Sequence, residues 1–183
     1  EPLVPMPFQG DFTQEQFLDK IANDYVDAKI HPSRVWYQSF RLSDIVYLVK
    51  NHPDFARQAV FLDPRTDTPE GLANASTASS MQDVANQGVK IIAPAFPWLL
   101  AVDNSTGEII PSDYAKNAEA AGLKIITWSI ERSGPLAKVA AAKDYYYTTL
   151  WSIIKHDGQL YEVIDALASK VKVLGIFADW PAT

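Results

Sequence analysis

One buried strand with an abrupt polar end constrains this chain more than any other stretch. Residues 122–131 have the sequence Gly-Leu-Lys-Ile-Ile-Thr-Trp-Ser-Ile-Glu, and they follow a predicted helix that ends in Ala-Ala-Gly. Apolar, β-branched runs between helices are typical of parallel strands covered on both faces. The run then changes to Thr127, Trp128 and Ser129, and α/β enzymes place their sites at such strand ends. We therefore expect this strand end to be part of any functional site.

Short apolar strands alternate with helices along most of the chain. Strand signals occur near Val35, Gln58, Lys90, Lys124 and Val171, with helical patterns between them. This alternation predicts a parallel α/β sheet with right-handed crossovers. A glycine-rich dinucleotide loop and a Walker lysine loop are both absent from the sequence, which disfavours a nucleotide-binding doubly wound sheet. The strand spacing suits a (β/α) barrel, although five strands do not close one.

Caps and turns predict the other segments of a single domain that spans the whole chain. A proline-rich loop over residues 1–12 comes first. Thr13 and Gln16 then form a capping box, and the helix that follows is expected to run to about Ala28. Its i, i+4 spacing predicts a buried face formed by Phe17, Ile21 and Tyr25.

Two longer stretches interrupt the regular alternation. Residues 63–80 are rich in Asp, Thr, Ser and Pro, and they predict a long loop. Residues 132–158 predict a long insertion after the Trp128 strand. Ser43 and Ser112 are each expected to cap the helix that follows.

The composition is acidic and otherwise ordinary for a soluble globular protein. The net charge is −6 and no basic cluster occurs, which argues against nucleic acid as a partner. No apolar run is long enough to predict a membrane span. Cysteine is absent, which excludes disulfides and a thiol nucleophile. N-glycosylation patterns at Asn74 and Asn104 favour a secreted or periplasmic protein.

Polar residues at predicted strand ends are the candidate functional residues. Asp63, Glu131 and Asp179 each follow a strand, and a metal site needs several converging carboxylates. The alternative is that these acids cap helices or turns. Gln38 could bond a phosphate or a neighbouring structural group. Trp128 could form a wall for a glycerol or leaving-group moiety, or it could belong to the core.

Other aromatic residues and the histidines carry weaker signals. Phe96, Trp98 and the run 145–147 extend the Trp128 wall in the functional interpretation and are ordinary packing in the structural one. The histidines do not pair at ligand spacing, and we expect them to be solvated surface residues. They are His31, His52 and His156. No serine lies in a Gly-x-Ser-x-Gly pattern, so serine hydrolysis has no support.

Four motifs occur along the chain in the order found in one known enzyme family. They are Pro5-Met6-Pro7-Phe8, Gln38-Ser39-Phe40, Ile126-Thr127-Trp128 with Glu131-Arg132-Ser133-Gly134, and the final residues 175–183. In this order they resemble the glycerophosphodiester phosphodiesterase family, and most closely its longer, exported microbial members. The resemblance covers essentially the whole chain, and the Trp128 strand and Asp179-Trp180-Pro181 are its most specific parts.

The resemblance implies a fold, an activity and a set of binding residues. The family is a TIM-type (β/α)₈ barrel that cleaves glycerophosphodiesters to glycerol 3-phosphate and an alcohol with a divalent cation, either Mg or Ca. The chain resembles strands four to eight, so it would supply about five βα units. The matching substrate-binding positions are Gln38, Trp128 and Glu131, although many family members have Asn at the last position.

The catalytic machinery of the family lies mostly outside the part that this chain resembles. The family's paired histidines and most of its metal-binding carboxylates come from the first three strands. We therefore expect no catalytic residue and few metal ligands in residues 1–183, and an inactive isolated segment. A missing amino-terminal half of the barrel, or a second copy of the chain, is expected to cover the open strand edges.

Two other functions remain open. The first is a non-catalytic half-barrel that uses the Trp128 rim to hold a ligand or partner. The second is a related sphingomyelinase-D-like phospholipase on the same fold. The first gains if nothing supplies the absent catalytic histidines, and assays with choline, ethanolamine and lipid-headgroup substrates distinguish the second.

Overall fold

Five parallel strands form the central sheet, and each pairs with the next one along the chain. A computed structural model of the protein describes residues 10–179. Its strands are β1 Gln38–Ser39, β2 Val60–Leu62, β3 Ile91–Ala93, β4 Leu100–Val102, β5 Ile109–Pro111, β6 Lys124–Thr127 and β7 Gly175–Ile176. The sheet order is β1-β2-β3-β6-β7, while β4 and β5 form a separate antiparallel hairpin. This order is what consecutive βα units with one handedness produce.

Helices connect the strands of the sheet. In chain order they are α1 Gln14–Asp27, α2 Leu42–Asn51, α3 Pro53–Ala56, α4 Pro69–Ala75, α5 Ala78–Asn86, α6 Asp113–Ala120, α7 Val139–Ala142 and α8 Leu160–Asp165. Short 3₁₀ turns lie at Pro32–Arg34, Pro64–Asp67, Phe96–Leu99, Leu136–Lys138, Tyr145–Tyr147 and Asp157–Gln159. A π-helical turn, Ala166–Val171, extends α8.

The two faces of the sheet bury different residues, because side chains alternate along a strand. Phe61, Ile92 and Ile125 point into the main core beneath the helices. The opposite face, here called the inner face, carries a second apolar cluster. Its members are Val60, Leu62, Ile91, Ala93 and Ile126, with Phe40, Trp128 and Phe177 packed against them.

The architecture agrees with the predicted alternation of strands and helices. The closure of the sheet into a barrel stays a prediction. Parallel pairing joins Gln38 to Val60 and Ile126 to Gly175 at the two ends of the sheet. Within residues 10–179, β1 pairs only with β2, and β7 pairs only with β6. Both are therefore edge strands of the described sheet. The Pro5–Phe8 motif, most of the predicted loop 1–12 and the Trp180–Thr183 terminus lie outside the described residues.

Helix α1 has the predicted cap but a different buried face. The reciprocal hydrogen bonds of Thr13 and Gln16 confirm the capping box. The fully buried residues are Gln14, Leu18 and Ala22. The predicted face is therefore right only in part, because Phe17 and Ile21 are partly buried and Tyr25 is exposed. The i, i+4 spacing is present, but the fully buried positions lie one residue later along the helix than predicted. An apolar pattern does not reveal this face, because its first member is Gln14, whose side-chain amide donates to the buried Asp44 carboxylate at 2.9 Å.

The observed helix N-caps test three other local predictions. Ser112 caps α6 as predicted, through its hydroxyl and the amide of Ala115. Ser43 does not cap α2, because the helix already begins at Leu42 and has no side-chain cap. Residues 63–80 are not a long loop. Thr68 and Thr77 cap α4 and α5 within this stretch, and two helices replace the loop that its polar composition predicted.

The buried carboxylate of Asp44 joins three elements near the end of β1. One oxygen of Asp44 accepts hydrogen bonds from the Gln14 amide at 2.9 Å and the Ser39 hydroxyl at 2.7 Å. The other lies 3.4 Å from the Arg41 guanidinium. Asp44 also lies in the first turn of α2, where the helix dipole favours a negative charge. This network fixes the carboxyl end of β1 against α1 and α2.

Removing this carboxylate is expected to destabilise the fold strongly. Asp44→Ala leaves the buried Gln14 and Ser39 groups without their acceptor, and we expect it to lower the free energy of unfolding by about 3 kcal/mol. Urea denaturation followed by circular dichroism measures the loss. Asp54→Ala is the matched control, because Asp54 has an exposed ion pair with Arg57 at the same i, i+3 spacing. Equal losses for the two variants would contradict the structural role of Asp44.

Candidate functional site

A cavity of about 320 Å³ lies on the inner face at the carboxyl ends of four strands. We call it the rim cavity. Its lining residues are Gln38, Phe40, Leu62, Trp128, Ser129, Arg132, Tyr146, Phe177 and Asp179. A second cavity of about 390 Å³, the inner-face cavity, adjoins it and shares Gln38 and Phe177. Cavities of this size at the carboxyl ends of parallel strands are typical of small-molecule sites.

Trp128 forms a fixed wall of the rim cavity. Its indole nitrogen donates a hydrogen bond to the carbonyl oxygen of Ala93 at 3.0 Å, which ties it to the neighbouring strand. The ring packs edge-to-face against Phe40 and Tyr146, with centroid separations of 6.4 Å in both pairs. The ring is only partly buried, so part of it remains available to a ligand. Trp128 therefore occupies the predicted position at the strand end, and it is oriented before any ligand binds.

Arg132 and Asp179 supply the charges of the rim cavity. The Arg132 Nε donates to an Asp179 carboxylate oxygen at 2.5 Å, and the side chains are 53% and 37% exposed. This hydrogen bond and the charge of Asp179 raise the pKa of Arg132. Within residues 10–179, the terminal guanidinium nitrogens of Arg132 make no further hydrogen bond. They are donors suited to an anion such as a phosphate group.

Gln38 belongs to the short strand β1 and lines both cavities. Its side chain is exposed, whereas the next residue, Ser39, is buried and bonded to Asp44. The bond between Ser39 and Asp44 thus fixes the backbone next to Gln38, while the Gln38 side-chain amide faces the cavities. An amide in this position provides both a donor and an acceptor to a ligand.

Glu131 does not join the other predicted binding residues. It lines a separate cavity of about 320 Å³ together with Ile130, Gly134 and Leu136. The chain leaves strand β6 after Thr127, so side-chain alternation no longer places Glu131 on the inner face. Of the three predicted substrate-binding residues, the structure brings together Gln38 and Trp128. Sequence reasoning missed Arg132, although it lies within the motif that carries the family resemblance.

The predicted aromatic wall is only partly available to a ligand. Phe96 is fully buried and cannot form it. Its ring instead supports Tyr146 by stacking at a centroid distance of 5.8 Å. Trp98 lies outside the rim cavity, and its indole nitrogen donates to the Tyr145 hydroxyl at 3.2 Å. Tyr146 is the member of the 145–147 run that lines the cavity, and burial raises the pKa of its hydroxyl.

Asp63 has a structural role and is not available as a metal ligand. Its fully buried carboxylate accepts two bonds from the Arg65 guanidinium, at 2.8 and 2.7 Å. It also accepts a bond from the Tyr114 hydroxyl at 2.7 Å. Burial and the negative charge of Asp63 raise the pKa of Tyr114 well above its usual range. This network connects the end of β2 to α6 on the side of the sheet that the helices cover.

The histidines lie away from the rim cavity, and one of them is not the solvated residue predicted. The His31 ring accepts a bond from the Ser33 amide in an exposed turn. His156 is exposed and precedes the 3₁₀ turn at Asp157–Gln159. His52 is partly buried and lies 2.7 Å from a carboxylate oxygen of Asp19. The hydrogen bond from His52 lowers the pKa of Asp19. The same contact joins α1 to the end of α2.

The described residues do not form a complete metal site. Among residues 10–179, no three His, Asp or Glu side chains are grouped so that they could hold a metal ion. The rim cavity contains one carboxylate, Asp179, and Arg132 already engages it. A hard divalent cation usually binds several oxygen ligands. The donor set of this part of the chain therefore does not fit the predicted cation by itself.

Sequence comparison places the chain beside a fungal protein. A protein of Arthroderma benhamiae named "Extracellular protein" is 49% identical to this chain over 182 residues. The alignment covers 100% of this chain and 73% of that protein. The chain belongs to the family of that protein. No known protein-family model matches the chain.

This relationship identifies the compartment in which the protein works. Because the relative is an extracellular protein and aligns with the whole chain, the protein is secreted. The expectation from the sequence, a secreted or periplasmic protein, is thereby confirmed as secreted. In residues 10–179, no helix combines the length and the apolar character that crossing a bilayer requires.

The structural role of the Asp63 network generates a prediction about stability. Tyr114→Phe removes one hydrogen bond to a buried charged acceptor, and we expect it to lower the free energy of unfolding by about 2 kcal/mol. Tyr161→Phe is the matched control, because the Tyr161 side chain is 76% exposed. Thermal and urea denaturation measure both variants. An unchanged stability for Tyr114→Phe would show that the Asp63 network does not support the fold.

Proposed function

We propose that this chain is the substrate-binding part of a secreted glycerophosphodiester phosphodiesterase. In a complete (β/α)₈ barrel, the enzyme would cleave glycerophosphodiesters to glycerol 3-phosphate and an alcohol. The observation that carries the proposal is the rim cavity, where Arg132, Gln38 and Trp128 meet at the carboxyl ends of the strands. The resemblance of the surrounding motifs to the family supports the same activity.

The side chains of the rim cavity match the parts of a glycerophosphodiester. The terminal nitrogens of Arg132 would bind the phosphate oxygens, while Asp179 holds the guanidinium in place through Nε. The Gln38 amide would bond a second phosphate oxygen or a glycerol hydroxyl. Trp128 and Phe40 would contact the carbon atoms of the glycerol moiety, since aromatic faces suit the C–H edges of a polyol.

Hydrolysis requires groups that the described residues do not provide. Cleavage of the P–O bond needs a proton donor and acceptor, and a cation to neutralise phosphate charge. The rim cavity holds one carboxylate and no histidine. In this proposal the catalytic histidines and most ligands of the Mg or Ca ion belong to strands outside this part of the chain. The chain itself binds and orients the substrate.

The edges of the sheet favour a larger assembly. Trp36 and Leu174 lie beside the edge strands β1 and β7, line the inner-face cavity, and are 45% and 49% exposed. Exposed apolar residues beside unpaired strand edges favour association with further strands. The fungal relative has about a quarter of its length outside the alignment. We propose that amino-terminal strands or a second copy of the chain cover this region.

A non-catalytic binding module is the second candidate function. The specific observation in its favour is that His31, His52 and His156 all lie outside the rim cavity. A module of this kind would use the same Arg132, Gln38 and Trp128 surface to hold a phosphorylated ligand. The two candidates therefore differ in turnover and not in the first binding step.

Phosphate binding by Arg132 can be tested on the chain alone. Titration with glycerol 3-phosphate, followed by tryptophan fluorescence, is expected to show saturable binding through the Trp128 wall. Arg132→Ala removes the phosphate donors and is expected to weaken binding by about tenfold or more. Arg57→Ala is the matched control, because Arg57 is an exposed arginine with its own aspartate partner. Equal affinity of Arg132→Ala and the unaltered protein would overturn the assignment of the phosphate site.

Turnover distinguishes the enzyme from the binding module. The chain alone is expected to be inactive towards glycerophosphocholine with added Mg or Ca. A version extended by amino-terminal strands is expected to release glycerol 3-phosphate, and a chelator should abolish this activity. Sedimentation of both versions measures whether copies associate. An extended version that binds glycerol 3-phosphate but does not hydrolyse the diester would favour the binding module.

A further inference from the structure

The hairpin of β4 and β5 presents an unassigned modification site at its tip. Asn104, Ser105 and Thr106 form an N-glycosylation pattern between the two strands. The protein belongs to an extracellular family, so it passes through a secretory route. We propose that Asn104 carries an N-linked oligosaccharide and that the second pattern, at Asn74, does not.

The turn exposes Asn104 while fixing the backbone around it. One carboxylate oxygen of Asp103 accepts bonds from the Ser105 amide at 2.7 Å and the Ser105 hydroxyl at 2.6 Å. The Gly107 amide donates to the Asp103 carbonyl oxygen at 2.7 Å and closes the turn. Asn104 is exposed, and within residues 10–179 no hydrogen bond holds its side chain. The acceptor amide therefore projects from the tip of the hairpin into solvent.

The groove beside this turn offers space for the attached sugars. It has a volume of about 560 Å³, and Thr106 and Gly107 form part of its wall. Tyr161 lies in the same groove with its side chain 76% exposed, and aromatic faces suit sugar C–H edges. The groove shares no lining residue with the rim cavity. An oligosaccharide at Asn104 would thus occupy a different surface from the proposed substrate site.

Asn74 lies in a less suitable backbone. It belongs to helix α4, and the next residue, Ala75, is completely buried in the core. The hydroxyl of Ser76 donates its proton to the Leu72 carbonyl oxygen at 2.7 Å, within the helix. The Thr106 hydroxyl instead accepts a bond from the Glu108 amide at 3.2 Å, so its own proton is not used in that bond. Accepted glycosylation sites lie in surface loops, and the hairpin tip meets this condition whereas α4 does not.

Transfer of the oligosaccharide to the protein uses only the side-chain amide of Asn104 from this chain. The donor is an oligosaccharide carried on a polyprenyl diphosphate, and a secretory-pathway transferase catalyses the reaction. The amide nitrogen of Asn104 forms a bond to the anomeric carbon and loses one proton, which passes to solvent. The bond from that carbon to the diphosphate oxygen breaks, and the polyprenyl diphosphate leaves with the electron pair.

Mass spectrometry of protein secreted by a fungal host tests the assignment. Enzymatic deglycosylation in heavy-oxygen water converts a glycosylated asparagine to a labelled aspartate, and the label is expected at position 104 and not at 74. Asn104→Gln and Thr106→Ala are each expected to be secreted at the deglycosylated mass. Asn74→Gln is the matched control, and it should keep the mass of the unaltered glycoprotein.

Two outcomes would overturn the inference. An unlabelled Asn104 in the secreted, unaltered protein would show that the hairpin tip is not modified. Label at Asn74 would show that helix α4 does not protect its asparagine, and the proposed difference between the two patterns would fail. Both readouts are independent of the proposed phosphodiesterase activity.

Discussion

Parallel pairing in chain order is the constraint on which the rest of the structure depends. It aligns the carboxyl ends of all five strands at one edge, so residues distant in sequence become neighbours in space. Gln38 lies in β1, Trp128 follows β6 and Asp179 follows β7, and the rim cavity is formed where they meet. The same alternation sends Ile125 to the helices and Ile126 to the inner face, so a single strand contributes to both apolar clusters.

Acidic residues near the strand ends have different roles according to the face they occupy. Asp44 and Asp63 are buried, and each accepts several hydrogen bonds, because an unpaired carboxylate in the core is very costly. Asp179 is partly exposed and holds Arg132 at the cavity. An exposed ion pair contributes little to stability, and in the proposed function its part is to hold the Arg132 guanidinium at the cavity.

The sequence predicted the positions of the strands and the strand-end site better than the orientation of individual side chains. The run before Trp128 identified β6 and its polar end, because apolar β-branched residues define a buried strand. Leu62, the last residue of β2, lies on the inner face of the sheet. Because side chains alternate along a strand, the next residue, Asp63, lies on the opposite face, which the helices cover. The structural role of Asp63 could be recognised only once the structure showed which face of the sheet the helices cover. Glu131 lies beyond the end of β6, where alternation no longer applies.

The chemistry of the rim cavity connects the open edges of the sheet to function. A guanidinium, an amide and an aromatic wall are sufficient to recognise a phosphate with a polyol, but they cannot move a proton between water and a leaving alcohol. In the proposed enzyme, the groups that complete this chemistry would reach the cavity from the inner face, where the exposed apolar residues Trp36 and Leu174 flank β1 and β7. Under this proposal, one set of additional strands would cover the apolar inner face and also supply the catalytic groups.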